Sequence, residues 1–179
     1  MEENEEQLLV PPDNFSMVES GVYRSAFPRQ KNTSFLKSIN FRCVISLVPE
    51  AYPDSMVQFY NSHGIRLKQY GLQGNKDLNK INIDDLVLSL FDVLDSSNHP
   101  VLIHCNKGMH RTGCVVGCLR KLRSWDCSSI FAEYVLFSSP RERMEDQAFI
   151  EQFDVEKFWR KYNTRSEFTL EDVAHVPAS

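Results

Sequence analysis

No stretch of this sequence approaches the roughly 20 consecutive apolar residues that a membrane-spanning helix needs, so no membrane insertion is expected. Positive charge is not in surplus either. Twenty Lys and Arg stand against 24 Asp and Glu, for a formal net charge of −4. That balance argues against a nucleic-acid partner and confines any basic character to a local patch. The amino terminus, Met1-Glu2-Glu3-Asn4-Glu5-Glu6, lacks the basic-then-apolar layout of a secretory signal. The five cysteines (Cys43, Cys105, Cys114, Cys118 and Cys127) are odd in number, contain no C-x-x-C pair and lie within apolar or helical runs. They read as reduced thiols of a cytoplasmic or nuclear protein. The histidines are scattered and no cluster has metal-ligand spacing, so neither a metal nor another cofactor is expected. Internal repeats and low-complexity segments are absent.

What is present is enough for one domain with short tails. The chain has 179 residues, 42% of them apolar and 11% aromatic, ample for a real core. Residues 1–9 read as an acidic tail, 10–162 as the domain and 163–179 as a polar tail. Strand-like runs occur at 22–25, at 41–48 and, with alternating polarity, at 65–70. A helix is expected from 54 to 62, capped by Asp54 and stopped by Gly64. Leu86, Val87, Leu90, Phe91 and Leu94 recur at helical spacing. Helical segments are further expected at 112–124, 128–137 and 142–162. Strands alternating with helices predict an α/β architecture, a central parallel-rich sheet flanked by helices on both faces.

The most informative segment is His104-Cys105-Asn106-Lys107-Gly108-Met109-His110-Arg111-Thr112-Gly113. An apolar run, Val101-Leu102-Ile103, precedes it and a helix-like run follows. Four N–H groups at a helix start have no intrahelical partner, and the helix dipole adds partial positive charge there. A phosphate dianion satisfies both, and the same field stabilises a thiolate. Arg111 offers a planar fork able to grip two phosphoryl oxygens. Gly108 lets the loop turn without a Cβ clash. Thr112 places a hydroxyl where it can bond the thiolate or the departing sulfur, and His104 is expected to brace the loop from the strand side. A cysteine and an arginine six apart also arise by chance, and a free cysteine is more often a small buried hydrophobe. Here glycine, hydroxyl, strand and helix agree. In a parallel sheet the ligand sits beyond the carboxyl ends of the strands, which is where this loop falls.

The chain resembles the cysteine-dependent phosphatases, and within them the plant-and-fungal atypical dual-specificity branch. The resemblance runs from about Val10 to Val155 and rests on several blocks besides the loop. These include Pro11-Pro12-Asp13-Asn14-Phe15, Gly21-Val22-Tyr23-Arg24-Ser25-Ala26-Phe27-Pro28, Gly74-Asn75-Lys76 and Glu133-Tyr134. It implies a three-layer αβα cysteine-phosphatase fold and a metal-independent reaction through a cysteinyl-phosphate. It further implies a small polyphosphorylated substrate, an inositol pyrophosphate losing its β-phosphate, with the 5-diphosphate preferred. Cys105, Arg111 and Thr112 are then the catalytic residues. Asn106, Lys107, Gly108, Met109, His110, Arg111 and Lys76 would bind substrate. Such loops commonly carry lysine where this chain has Met109, which leaves a reduced basic rim. Phosphatases of this fold usually carry a general-acid aspartate on an earlier loop, and Asp77 is the candidate; the alternative is an ordinary solvated side chain. Two other functions compete: a protein-tyrosine or dual-specificity phosphatase, and a non-catalytic phosphate-binding scaffold. A sulfurtransferase or arsenate reductase is remote, given the paired arginine and Thr112. Nothing in the sequence points to an obligate interface, so a monomer is expected.

Overall fold

Strand β5 (Val101–His104) is the keystone of the molecule, with all four residues fully buried. The structure is a computed structural model, and it describes residues 8–72 and 83–164. Around β5 stand β1 (Ser16–Glu19), β2 (Val22–Ser25), β3 (Cys43–Ser46) and β4 (Arg66–Gln69), in the order β1-β2-β5-β3-β4. Strands β2, β5, β3 and β4 run parallel; only β1 is antiparallel, paired to β2 at the edge. Both faces of β5 are covered, so its sequence reads as a continuous apolar run instead of an alternating one.

Alternation nevertheless divides the core. Val101 and Ile103 of β5 and Cys43 and Ile45 of β3 point to one side. There they meet α3 (Ile83–Leu94), α4 (His110–Leu122) and α7 (Val155–Thr164) through Leu86, Leu90, Val115, Leu119 and Phe158. Leu102 and Val44 point to the other side, against Leu36 of α1 (Thr33–Ile39) and Met56 and Tyr60 of α2 (Asp54–Ser62). Helices α5 (Cys127–Ser138) and α6 (Met144–Gln152) pack on α4 through Ile130, Tyr134 and Ile150. The result is a three-layer αβα domain.

Helix α4 lies so deep because two glycines let its neighbours close in. A Cβ on Gly117 would stand 2.5 Å from Ile150 Cδ1, and one on Gly113 would stand 2.8 Å from the Tyr134 ring.

Two expectations need correction, and one element went unread. The single helix expected over 142–162 is two, α6 and α7. Phe153 turns extended between them and Asp154 accepts from the Lys157 N–H to start the second. Asp54 does not cap α2; it is the first helical residue, and Pro53 occupies the cap position. Strand β1 was not foreseen, because four residues with one buried position carry almost no periodic signal.

Candidate active site

The chain leaves β5 at His104, turns through residues 105–109 and enters α4 at His110. What shapes this turn is the fate of its carbonyl groups. The His104 carbonyl accepts from the Leu47 N–H at 2.9 Å, and that of Asn106 from the Phe27 N–H at 3.2 Å. The Lys107 carbonyl accepts from Asn14 Nδ2 at 3.3 Å. The Gly108 carbonyl takes both Asn14 Nδ2 at 3.2 Å and Arg24 Nη2 at 2.7 Å. The Met109 carbonyl accepts from the Gly113 N–H at 2.8 Å, inside the helix. The Cys105 carbonyl lies 3.3 Å from His104 Nδ1.

Every carbonyl of the loop is therefore bound on its outer side. In a trans peptide the C=O and the following N–H point in opposite directions, so the N–H groups converge on the concave side. None of the N–H groups of residues 106–109 donates to a described residue. A loop of this kind holds a tetrahedral anion. Gly108 is essential to it, with φ +67° and a notional Cβ only 2.6 Å from the Ser25 carbonyl carbon and oxygen.

Cys105 sits beneath this ring, 3% exposed. Arg111, in the first turn of α4, is fixed by Nη1, which donates to the carbonyls of Leu47 at 3.0 Å and Leu72 at 3.1 Å. These carbonyls belong to the segments that follow β3 and β4, so the sheet's carboxyl ends aim the guanidinium. Its other N–H groups donate to no described residue. Thr112 Oγ1 is buried and has no hydrogen-bond partner among the described residues. Asn106 and Lys107 are exposed at the rim; Met109 and His110 are half-buried.

His104 is fully buried, with Nε2 3.1 Å from the Tyr52 hydroxyl, which itself lies 3.0 Å from that of Tyr60. Burial pushes the His104 imidazole down to about 4, with the Arg111 charge adding to the fall and the Cys105 carbonyl opposing it. His104 is neutral at pH 7. Burial likewise pushes the thiols of Cys43 (to about 11), Cys114 and Cys118 up, so these three stay protonated. All five cysteines are free thiols.

His110 is held from behind. Its Nδ1 lies 3.1 Å from Asp146 Oδ2 and 3.2 Å from the Tyr134 hydroxyl, and that hydroxyl donates to the same carboxylate oxygen at 2.6 Å. Asp146 and Tyr134 are both buried. Nε2 of His110 has no hydrogen-bond partner among the described residues.

The structure thus gathers His104, Cys105, Asn106, Lys107, Gly108, Met109, His110, Arg111 and Thr112 at one place. Lys76 and Asp77 lie outside the described residues. Sequence reasoning did not single out Asn14, Arg24, Tyr52 or Asp146, which carry the loop from behind. For Arg24 a signal existed, since alternation puts it on the same inward face of β2 as Val22. Among the described residues no three His, Cys, Asp or Glu side chains gather as a metal site.

Comparison with known proteins agrees with this geometry. The model of the tyrosine phosphatase family matches residues 9–171. Inositol diphosphatase DSP1 of Oryza sativa subsp. japonica is 52% identical over 151 residues, covering 84% of this chain and 68% of that protein. Inositol diphosphatase DSP3 of Arabidopsis thaliana is 50% identical over 149 residues, covering 83% and 73%. The crystallised core catalytic domain of the PP-IP phosphatase SIW14 from S. cerevisiae, in complex with citrate, superposes with a TM-score of 0.82 at 42% identity. That match covers 89% of this chain and 96% of that one.

Proposed function

This chain belongs to the tyrosine phosphatase family, and from that membership we propose that it removes the β-phosphate of inositol pyrophosphates, preferring the 5-diphosphate, through a cysteinyl-phosphate. The observation that carries the chemistry is the loop at 104–112, with its carbonyls turned outward around Cys105 and Arg111. The substrate class is supported by relatives about half identical to this chain that are named inositol diphosphatases.

In this reading the Cys105 thiolate attacks the β-phosphorus in line. The bond from that phosphorus to the bridging oxygen breaks, and the inositol phosphate leaves. Water then attacks the cysteinyl-phosphate, releasing orthophosphate and restoring the thiolate. The loop N–H groups and Arg111 stabilise charge on the equatorial oxygens. The buried Thr112 hydroxyl, which no described residue satisfies, stabilises the sulfur as it departs. The loop supplies its own positive field, so no metal is needed. Lys107, His110 and Lys76 are proposed to bind the substrate's other phosphates.

Asp77 is proposed as general acid on sequence grounds alone. Leaving-group chemistry decides its weight. A phenol has a pKa of about 10, whereas a phosphate leaving group has its relevant pKa near 6. Asp77→Asn should therefore cost hydrolysis of an aryl phosphate far more than hydrolysis of a phosphoanhydride.

The decisive experiment is phosphate release with chelator present, using 5-diphosphoinositol pentakisphosphate, its 1-diphospho isomer and a phosphotyrosine peptide, with Cys105→Ser as control. Preference for the 5-diphospho compound, lost in the variant, is the expected outcome. Preference for the peptide makes this a protein-tyrosine phosphatase, and ligand binding without turnover makes it a scaffold. The free thiols agree with a cytoplasmic or nuclear setting, and among the described residues no helix is long and apolar enough to cross a membrane. A monomer remains our reading.

A further inference from the structure

Arg24 is only 1% exposed, yet no carboxylate among the described residues pairs with it. Glu133, whose charge it feels, is already held by Arg120 through two contacts of 2.8 Å. Its Nη2 donates to the Gly108 carbonyl at 2.7 Å, and its guanidinium carbon lies 3.8 Å from the centre of the Phe137 ring. Nε and Nη1 are buried and find no hydrogen-bond partner among the described residues. Such a group is expensive to keep. Burial lowers its pKa only to about 10, with the charges of Glu133 and Cys105 opposing the fall, so it remains a cation at neutral pH. No carboxylate among the described residues hydrogen-bonds this buried cation; Glu133 acts on it only through space, and the other counter-charge that it feels, Cys105, lies across the loop.

We infer that Arg24 is a positioning residue whose buried positive charge, transmitted through the Gly108–Met109 peptide, is balanced by the anion held in front of the loop. Donation to the Gly108 carbonyl polarises that peptide and strengthens the Met109 N–H on its far side as a donor to phosphate. The same positive charge attracts the sulfur of Cys105. Arg24 touches neither substrate nor sulfur; it acts through the loop. The inference rests on the phosphatase reading of the loop and not on the choice of substrate.

It makes stability and binding move in opposite directions. Methionine has the length to fill the site and can contact Phe137 through sulfur, so Arg24→Met removes the charge without opening a large cavity. Arg24→Lys retains the charge on a single donor nitrogen. The full chain and both variants would be melted without phosphate and across a titration of inorganic phosphate. Reaction of Cys105 with iodoacetamide at one fixed pH would be followed on its peptide by mass spectrometry. Without phosphate, R24M should melt no lower than wild type. It should bind phosphate roughly tenfold or more weakly, as expected for a lost charge-assisted contact, and its Cys105 should alkylate more slowly. R24K should recover most of both losses.

An R24M chain that unfolds makes Arg24 a structural brace and overturns the inference. So does phosphate affinity in R24M within twofold of wild type, or R24K no better than R24M. Wild type that fails to bind phosphate refutes the reading of the loop itself, a different result from wild type binding and R24M binding equally.

Discussion

His104 is uncharged in the folded protein at neutral pH, and that has a consequence for acid stability. Its folded pKa of about 4 lies below the ordinary 6.5, so the unfolded chain takes up a proton first as pH falls. The stabilisation is complete above about pH 6.5 and is lost between there and pH 4, up to about 3 kcal/mol. Chemical denaturation of wild type and His104→Gln across that window should show a steeper decline in wild type. At Gly108 the demand is steric, since φ is +67° and Ser25 leaves no room for a methyl group. Gly108→Ala should cost about 2 kcal/mol or more and lower kcat at least tenfold, measured by melting and by phosphate release. The placement of Cys105, Gly108, Arg111 and Thr112 in one strand-to-helix loop was legible because residues adjacent in sequence are neighbours in a tight turn. Asn14 and Asp146 were not, because they meet the loop from 93 and 36 positions away. Nothing local distinguishes such residues from surface polar ones.

At the scale of elements, helix propensity and packing oppose each other along α4. Alanine favours a helix over glycine by about 1 kcal/mol, yet at position 117 its methyl group would meet Ile150, which is fully buried and cannot retreat. Overpacking costs about 1–3 kcal/mol, so Gly117→Ala should destabilise. Adding Ile150→Val should return part of that loss, and a double-mutant cycle by denaturant melting measures the coupling. Arg120 poses a related problem between elements. It joins α4 to Glu133 of α5 and to the Val18 carbonyl of β1, and stacks on Trp125. It is 6% exposed and paired. Long elements such as α3 were legible from their period. The break between α6 and α7 was not, because no glycine or proline marks it in the sequence and only the extended Phe153 and Asp154 separate the two helices.

Across the whole molecule, charge is arranged by place and not by sum. The chain is acidic overall, at −4, yet Lys107, His110 and Arg111 stand together at one mouth. Attraction between a polyanion and these groups acts over short range in an acidic field, and salt screens the exposed Lys107 most. Raising ionic strength from about 50 to 300 mM, across which the Debye length falls below about 10 Å, should raise KM for a diphosphoinositol more than for a simple monophosphate. The value of kcat should change little, which steady-state kinetics at several salt concentrations would check. The sheet order, with β5 at its centre and the loop at its carboxyl end, was legible as a class of architecture; the identity of the edge strand was not.

The outward turn of the loop carbonyls has one more consequence. A cradle offering donors and no carbonyl acceptor reads shape and charge, but it cannot read the central atom. Sulfate, vanadate, tungstate and the reaction's own orthophosphate all present the same tetrahedral or near-tetrahedral rim of oxygens. The protein's working rate is therefore tied to the oxyanions dissolved around it. In the proposed reaction, the wall that would steady a transferring phosphoryl group makes the site a standing target for competition by its product.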